Sequence, residues 1–371
     1  MTSATALASV VLAGGGSAGH VSPLLALADC LRRRDPELTV TVLGTAEGRE
    51  QRLVPARGYD LRVIPKVAFP RRPGAALVQL PRSLRGAVRA AREVLEEVEA
   101  DVVVGFGGYV STPAYLAARR RHTPIVLHEQ NARPGLANRL GARMTAYVAT
   151  TFPSTPLPHA TTVGMPLRRE ITTLDRRAVR AEALEHFGLE DHRPTLLVTG
   201  GSLGAQRLNT SFAEAAPALS SAGVQVLHLS GLGKGFEPEL PAGGSPYVVR
   251  EYADRMDLAY AVADLVTARA GAGTVCELTA VGLPAVYVPL PIGNGEQKLN
   301  AVDVVAAGGG VLVDDSAVTA DWIRHVLLPL LGDGGRLDSM ATAAAAAGHR
   351  DGDDRLADLV HRAAEGQDTG G

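Results

Sequence analysis

The chain runs to 371 residues, with 46% hydrophobic side chains, 41 glycines, 23 prolines and a formal net charge of -2. The length exceeds one ordinary core and predicts two domains, while the near-neutral charge excludes a bulk nucleic-acid binder. Two cysteines, Cys30 and Cys276, lie far apart in helical patterns, give neither a disulfide framework nor a zinc spacing, and fit a reducing compartment. No apolar run reaches about 18 residues, so no membrane span is expected, and the N-terminus reads as a first strand rather than a signal peptide.

From the N-terminus, apolar runs of strand length alternate with helical patterns. They are SVVLA, TVTVLG, LRVIP, DVVVGF, PIVLHE and AYVAT, then TLLVTG, VQVLHL, YVVREY, DLVTA, AVYVPL and GVLVDD. This alternation predicts an α/β protein with parallel sheets covered by helices on both faces. Between the two sets, FPSTPLPHATTVGMP from Phe152 to Pro166 reads as a linker. SVVLAGGGSAGH and TLLVTGGSLGAQ echo each other, so each half opens with a strand, a glycine turn and a helix. In doubly wound sheets ligands lie beyond the carboxyl ends of the strands, and two such domains facing one another would make one cleft. The segment from Leu337 to Glu365 is Ala-rich and helical in pattern, with a frayed tail. Within it, Asp351-Gly352-Asp353 reads as a solvated turn rather than a metal-nucleotide site.

The loop Gly14-Gly15-Gly16-Ser17-Ala18-Gly19-His20 satisfies G-x-G-x-x-G. Ser22 and Pro23 read as the N-cap and first residue of the next helix, turning the amides near Gly19 towards a ligand. A dinucleotide site would place an acid at the end of the second strand, and Val42-Leu43-Gly44-Thr45 has none before Glu47. His20 is either a proton acceptor for an attacking hydroxyl near neutral pH or a histidine that caps and packs. Gly105-Phe106-Gly107-Gly108-Tyr109-Val110-Ser111 forms a second loop. His128-Glu129-Gln130-Asn131 forms a third, and its four polar side chains suit a polar substrate because burial without partners is costly. In the second half, Gly200-Gly201-Ser202-Leu203-Gly204 repeats the phosphate cradle. Arg269 to Glu277 lets amides approach a diphosphate while Glu277 accepts from ribose hydroxyls, and Pro289 to Gln297 offers groups to a sugar. No loop ends in Gly-Lys-Ser/Thr, which counts against nucleotide hydrolysis. Lys66 to Arg92 carries Lys66, Arg71, Arg72, Arg82, Arg85, Arg89 and Arg92 and no acid, interleaved with Phe69, Leu77, Val78, Leu80 and Leu84. That is either a surface for anionic lipid head groups or an amphipathic helix with a solvated basic face.

GGGSAGH, VVGFGGYVS, HEQNARPGLANR, GMPLR, TGGSLGAQRLN, ARAGAGTVCELTAVGLP and PLPIGNGEQKLNA follow one another along nearly the whole chain. In that order they resemble the bacterial glycosyltransferase family that adds N-acetylglucosamine to lipid I to make lipid II, a step of peptidoglycan synthesis. The resemblance implies the GT-B architecture, two Rossmann-like domains with an interdomain cleft. Residues 1–160 would bind the acceptor and the membrane, 161–340 the UDP-sugar, and 341–371 would form a C-terminal helix packing back on the first domain. It further implies an inverting transfer from UDP-N-acetylglucosamine to the muramyl 4-hydroxyl, with His20 as catalytic base or positioning group. The donor would meet Arg168, Ser202, Ala253, Met256, Gly273, Thr274, Glu277, Glu296 and Gln297, and the acceptor Ser17, Ala18, Gly19, Tyr109, His128, Glu129, Asn131 and Asn138. No metal site and no required cofactor are implied, with stimulation by a divalent cation left open. The expected partners are UDP-N-acetylglucosamine, lipid I and, through Lys66 to Arg92, an anionic membrane surface, with no nucleic acid. The expected location is the cytoplasmic face of the bacterial plasma membrane, as a peripheral protein. Ser17 stands where the family usually has Thr, Gly273 where a larger residue is common, and Ile292 where many members are polar. These departures leave open a paralogue that glycosylates another lipid or a natural product.

Overall fold

The computed structural model describes residues 7–16, 18–67, 75–201 and 204–366. The chain divides into two compact units, the first made of residues up to Arg168 together with those from Asp351 onward, the second of Arg169–Arg350. In the first, β1 (Ser9–Gly14), β2 (Thr39–Gly44), β3 (Asp60–Val63), β4 (Val102–Gly107), β5 (Ile125–Glu129), β6 (Tyr147–Thr150) and β7 (Ala160–Thr162) form one sheet, in the order β3-β2-β1-β4-β5-β6-β7. In the second, β8 (Thr195–Thr199), β9 (Gln225–Leu229), β10 (Tyr247–Arg250), β11 (Leu265–Ala268), β12 (Ala285–Tyr287) and β13 (Gly310–Leu312) are ordered β10-β9-β8-β11-β12-β13. Neighbouring strands are parallel in both sheets. Apart from the added β7, the two orders are the same, which gives the sequence echo its structural meaning.

Helices on both faces explain why the strands read as continuous apolar runs. Successive side chains of a strand point to opposite faces. Leu12, Val42 and Val104 pack with Leu24, Leu27 and Leu31 of the Ala18–Arg34 helix. Val11, Leu43 and Val103 pack instead with Val88 and Leu95 of the Ala75–Glu97 helix and Tyr115 of the Ser111–Arg121 helix. Each central strand pair is pinned alike at its start. Asp101, just before β4, accepts from the amides of Ala8 and Ser9 at 2.8 and 2.9 Å, and Asp264, just before β11, accepts from the amide of Thr195 at 2.8 Å.

The strands expected from the sequence all form, and β7 is additional. Several expectations are corrected. The Phe152–Pro166 stretch is part of the first unit rather than a linker, because it supplies β7 and buries Val163 and Met165. The expected boundaries near 160 and 340 accordingly fall after Arg168 and Arg350. The helix after the first glycine loop begins at Ala18, a turn before Ser22 and Pro23, so His20 lies in its first turn. The C-terminal segment is two helices. Gly334–Ala347 belongs to the second unit, and Gly352–Glu365 belongs to the first, where Leu356, Leu359 and Val360 join the core.

Asp351-Gly352-Asp353 is therefore no solvated turn. Asp353 is buried against Arg33 at 3.3 Å, Arg34 holds Asp354 at 2.8 Å and Asp358 at 2.6 Å, and a Cβ on Gly352 would lie 2.5 Å from the Met165 carbonyl oxygen. Cys30 donates to Asp354 at 3.3 Å, and burial, together with the neighbouring Asp353 charge, pushes its thiol up to about 12. Cys30, Asp353 and Asp354 lie close enough to share an ion, but the two arginines already neutralise the carboxylates.

Candidate functional site

In the first sheet the chain leaves β1 for β2 on one side and returns to β4 on the other. The carboxyl ends of β1 and β4 are thus a topological switch point, where doubly wound sheets bind ligands. The two loops that leave these ends interlock. Gly14 and Gly107 are register partners, and Ser111 Oγ bridges the Ala13 and Gly107 carbonyls at 2.9 and 2.8 Å. Gly107 and Gly108 have φ of +89° and +82°, and a Cβ on Gly108 would lie 2.6 Å from the Gly15 carbonyl oxygen. Only glycine allows that approach. A Cβ on Gly107 would lie 3.2 Å from His20 Nε2 and 3.5 Å from Asn138 Nδ2, so these two side chains converge over its backbone. Gly19 is exposed at the loop mouth, and Tyr109, 43% exposed, stands beside Gly16 with Lys66 Nζ 5.2 Å from its ring centroid. Ala18 opens the helix. Ser17, like Phe69, Arg71, Arg72 and Ser202, lies outside the described residues.

The acid at this loop is Glu50, which sequence reasoning missed. It is fully buried, its Oε2 accepts from the Gly16 amide at 2.9 Å, and its Oε1 accepts from the Thr45 amide at 2.9 Å and the Thr45 hydroxyl at 3.0 Å. Burial alone would raise its pKa, but the Thr45 and Gly16 donors outweigh that and hold it below the usual carboxylate value. The protein's own carboxylate thus takes the Gly16 amide, which a dinucleotide-binding loop would present to a pyrophosphate. No spacing rule points to Glu50, which stands 34 residues from Gly16.

The third loop corrects a further expectation. His128, Glu129, Gln130 and Asn138 are all buried and bond to the protein itself rather than lining an open surface. His128 Nε2 lies 2.8 Å from the Gly164 carbonyl, which makes it the protonated ring nitrogen, and burial lowers its pKa to about 4. Glu129 accepts from the Asn131 and Gly135 amides and from Asn138 Nδ2, each at 3.0 Å, while burial pushes its carboxyl up. Asn138 also donates to the His128 carbonyl at 3.1 Å and accepts from Tyr115 OH at 2.8 Å. Gly105 and Gly141 make room for that phenol, since a Cβ on either would overlap the Tyr115 ring or hydroxyl. Asn131 is half-buried at the loop edge. The expected polar surface is thus an internal brace, and Asn138 is the member that reaches His20's side of Gly107.

The second unit has the corresponding switch point between β8 and β11. The Ala272–Ala280 helix starts beyond β11 at Gly271 with no side-chain cap, and the amides of a helix start suit an anion. Gly273 is exposed with open space where a Cβ would stand, and Thr274 is half-buried beside it. Glu277, further along this helix, accepts from Tyr260 OH at 2.7 Å, which fixes one carboxylate oxygen. Ala253 is buried after β10, next to Tyr252, which is 53% exposed, and Met256 begins the following helix. Gln297 Oε1 accepts from the Leu290 amide at 2.9 Å, Glu296 is half-buried beside it, and Ile292 is 73% exposed in the same loop. Arg269, at the head of the stretch that ends in Glu277, is paired with Asp315 at 2.6 Å and donates to the Val288 and Pro289 carbonyls at 3.2 and 3.1 Å, tying the start of that loop to β11. Arg168 is half-buried at the end of the first unit's first segment.

Comparison with known proteins agrees with this two-unit plan. The glycosyltransferase family 28 N-terminal domain model matches residues 10–150, and the glycosyltransferase family 28 C-terminal domain model matches residues 195–356. A protein of Nocardioides is 59% identical over 95% of this chain and 97% of its own length, and one of Streptomyces avermitilis is 56% identical over 95% and 98%. Both carry the name UDP-N-acetylglucosamine--N-acetylmuramyl-(pentapeptide) pyrophosphoryl-undecaprenol N-acetylglucosamine transferase. Among solved structures, Acinetobacter baumannii MurG matches with a TM-score of 0.78 at 28% identity, covering 96% of this chain and 99% of that one. A Neisseria meningitidis UDP-GlcNAc 2-epimerase matches at 14% identity with a TM-score of 0.66, a likeness of fold alone. Matched by both domain models, and by such relatives along nearly its whole length, the chain belongs to glycosyltransferase family 28.

Proposed function

We propose that this glycosyltransferase moves N-acetylglucosamine from UDP-N-acetylglucosamine to the undecaprenyl-pyrophosphoryl muramyl pentapeptide acceptor, forming the disaccharide precursor of peptidoglycan. The near full-length identity to relatives bearing that name carries the reading, and the switch-point geometry gives it a mechanism. The acceptor sugar's 4-hydroxyl sits at the first unit's glycine loops and loses its proton to His20 as its oxygen bonds to the donor's anomeric carbon. The bond from that carbon to the UDP oxygen breaks, with inversion. The second unit holds the donor, with Glu277 on the ribose, Ala253 and Met256 near the base, Gln297 and Glu296 at the sugar, and the Ala272–Ala280 helix start at the diphosphate. Those helix amides and Arg168 stabilise the charge that develops on the departing UDP.

The test is UDP release from UDP-N-acetylglucosamine with and without a soluble acceptor analogue. The expected result is acceptor-dependent release and a β-1,4 disaccharide, with kcat lower by roughly 10²-fold or more in His20→Ala, the scale of a lost general base. Release that ignores the acceptor, or a wild-type rate in the variant, would count against the scheme. With cationic and amide donors at the leaving group, we propose that no metal is required, so EDTA leaves the rate unchanged. Loss of activity restored by a divalent cation would refute that.

The enzyme is further proposed to work on the cytoplasmic face of the plasma membrane as a peripheral protein. The Ala75–Glu97 helix exposes Arg82, Arg85, Arg89 and Arg92, and no described helix is long and apolar enough to cross a membrane.

A further inference from the structure

We propose that Glu50 is a positioning residue for the reaction, with its carboxylate fixing the backbone at Gly16 and hence the place of His20. The inference rests on the reading above that the loop after β1 receives the acceptor.

Glu50 begins the Glu50–Ala56 helix and reaches back to the end of β2 and across to the loop after β1. Its two oxygens divide the work, Oε1 holding Thr45 and Oε2 holding Gly16. Three glycines from two loops shape its slot. A Cβ on Gly15 would lie 2.5 Å from Oε1, one on Gly44 would lie 2.6 Å from Cγ, and one on Gly48 would overlap the carboxylate. Gly16, with φ of +87°, turns its amide into this acceptor while its other side faces Tyr109. The buried anion thus holds the backbone at the Gly16 amide, four residues before the proposed base. Hydrogen bonds to an ionised acceptor are about twice as strong as neutral ones, so the anchor is firm. Reaction geometry is sensitive on the scale of about 1 Å, so releasing it should reach the chemistry.

The test uses two variants that disturb the anchor from opposite sides. Glu50→Gln preserves volume but turns one acceptor oxygen into a donor facing an N–H or hydroxyl. Gly15→Ala retains the charge but pushes on Oε1. Amide hydrogen exchange of residues 14–20 and steady-state kinetics with UDP-N-acetylglucosamine and a soluble acceptor analogue are measured in the full chain. The expected result is faster loop exchange in both variants, kcat/KM for the acceptor lower by roughly tenfold or more, and an unchanged KM for the donor. Wild-type exchange, or faster exchange with wild-type acceptor kinetics, overturns the proposal. An equal loss for both substrates with a lowered global unfolding midpoint also overturns it, because Glu50 would then serve folding only. If Glu50→Gln does not fold, Gly15→Ala decides. If the wild type itself does not turn over the analogue, the proposed reaction fails, and the exchange measurement still judges whether Glu50 anchors the loop.

Discussion

Asn138 links the buried brace to the proposed chemistry at the scale of single residues. Its amide nitrogen faces the backbone of Gly107 together with His20, while its oxygen is held by Tyr115 from the protein interior. Tyr115→Phe removes only that hydroxyl and leaves a buried acceptor without its donor, a change that costs about 1–3 kcal/mol. Urea unfolding should show a loss in that range together with weaker acceptor kinetics, and an unchanged midpoint would show that the bond carries no weight. Gly107→Ala puts a methyl at φ +89° between His20 and Asn138. It should lower kcat while sparing the KM for donor, and equal effects on both would place the damage elsewhere. Residues such as these show which part of the site sequence could reveal. Glycine loops after apolar strands are local patterns, so the switch-point loops and His20 were legible. Glu50 was not, because its partner Gly16 lies across a strand and a helix and only the parallel β1–β2 pairing brings them together. The His128-Glu129-Gln130-Asn131 run was legible as polar but not as internal, since its partners Gly164, Gly135 and Asn138 come from later in the chain.

Two helices carry predictions at the scale of elements. The Gly352–Glu365 helix is distant in sequence from the first unit's other elements, yet it buries Leu356, Leu359, Val360 and Ala363 in that unit's core. Three aliphatic side chains at about 1.5–3 kcal/mol each rival the whole stability of a typical domain. Deleting residues from Asp351 onward should therefore unfold the first unit, and Leu356→Ala alone should cost about 2–5 kcal/mol in denaturant unfolding. A truncated chain with native first-unit amide protection would contradict this. The helical pattern of this segment was legible but not where to cut it, because the break depends on Gly348 lying against Thr279 in one unit and Gly352 against Met165 in the other. β7 escaped notice for a related reason. Its ATT run is too short and too polar to signal a strand, and it exists because β6 offers it a free edge. The basic Ala75–Glu97 helix is the other case. Arg82→Glu with Arg85→Glu reverses two exposed charges, each worth about 1 kcal/mol at an anionic surface. Binding to phosphatidylglycerol vesicles should fall by more than tenfold while turnover of a soluble acceptor persists, and unchanged vesicle binding would refute the membrane role of this face.

At the scale of the whole molecule, each unit buries one neutral histidine, and together these predict how the protein responds to acid. Burial lowers His128 in the first unit to about 4 and His228 in the second to about 3, from an ordinary value of 6.5. His228 is held between Tyr247 OH at 2.7 Å and Asn209 Oδ1 at 3.0 Å, among the rings of Phe212 and Phe236. Below pH 6.5 the unfolded chain takes up a proton at each histidine that the folded chain refuses until its own lower pKa. The unfolded state therefore binds more protons across that window, and stability present above pH 6.5 is lost as the pH falls, by up to about 1.4 kcal/mol per pH unit for each residue. Carboxylates modify this response in both units. In the first, Glu129 is raised by burial and so binds its proton more readily when folded, which offsets part of the loss at the acidic end, while Glu50 and Asp354 are held low by their donors and add to it. In the second, Asp257 is held low by Arg255, which adds to the loss. The chain's single tryptophan, Trp322, packs against the second unit's core and reports on that unit alone. Urea midpoints followed by its fluorescence should drop steeply between pH 6.5 and pH 4. His228→Gln, which retains hydrogen-bonding groups but cannot titrate, should be less stable at pH 7 yet lose less on acidification, and a slope equal to the wild type would show that His228 is not the group that senses acid.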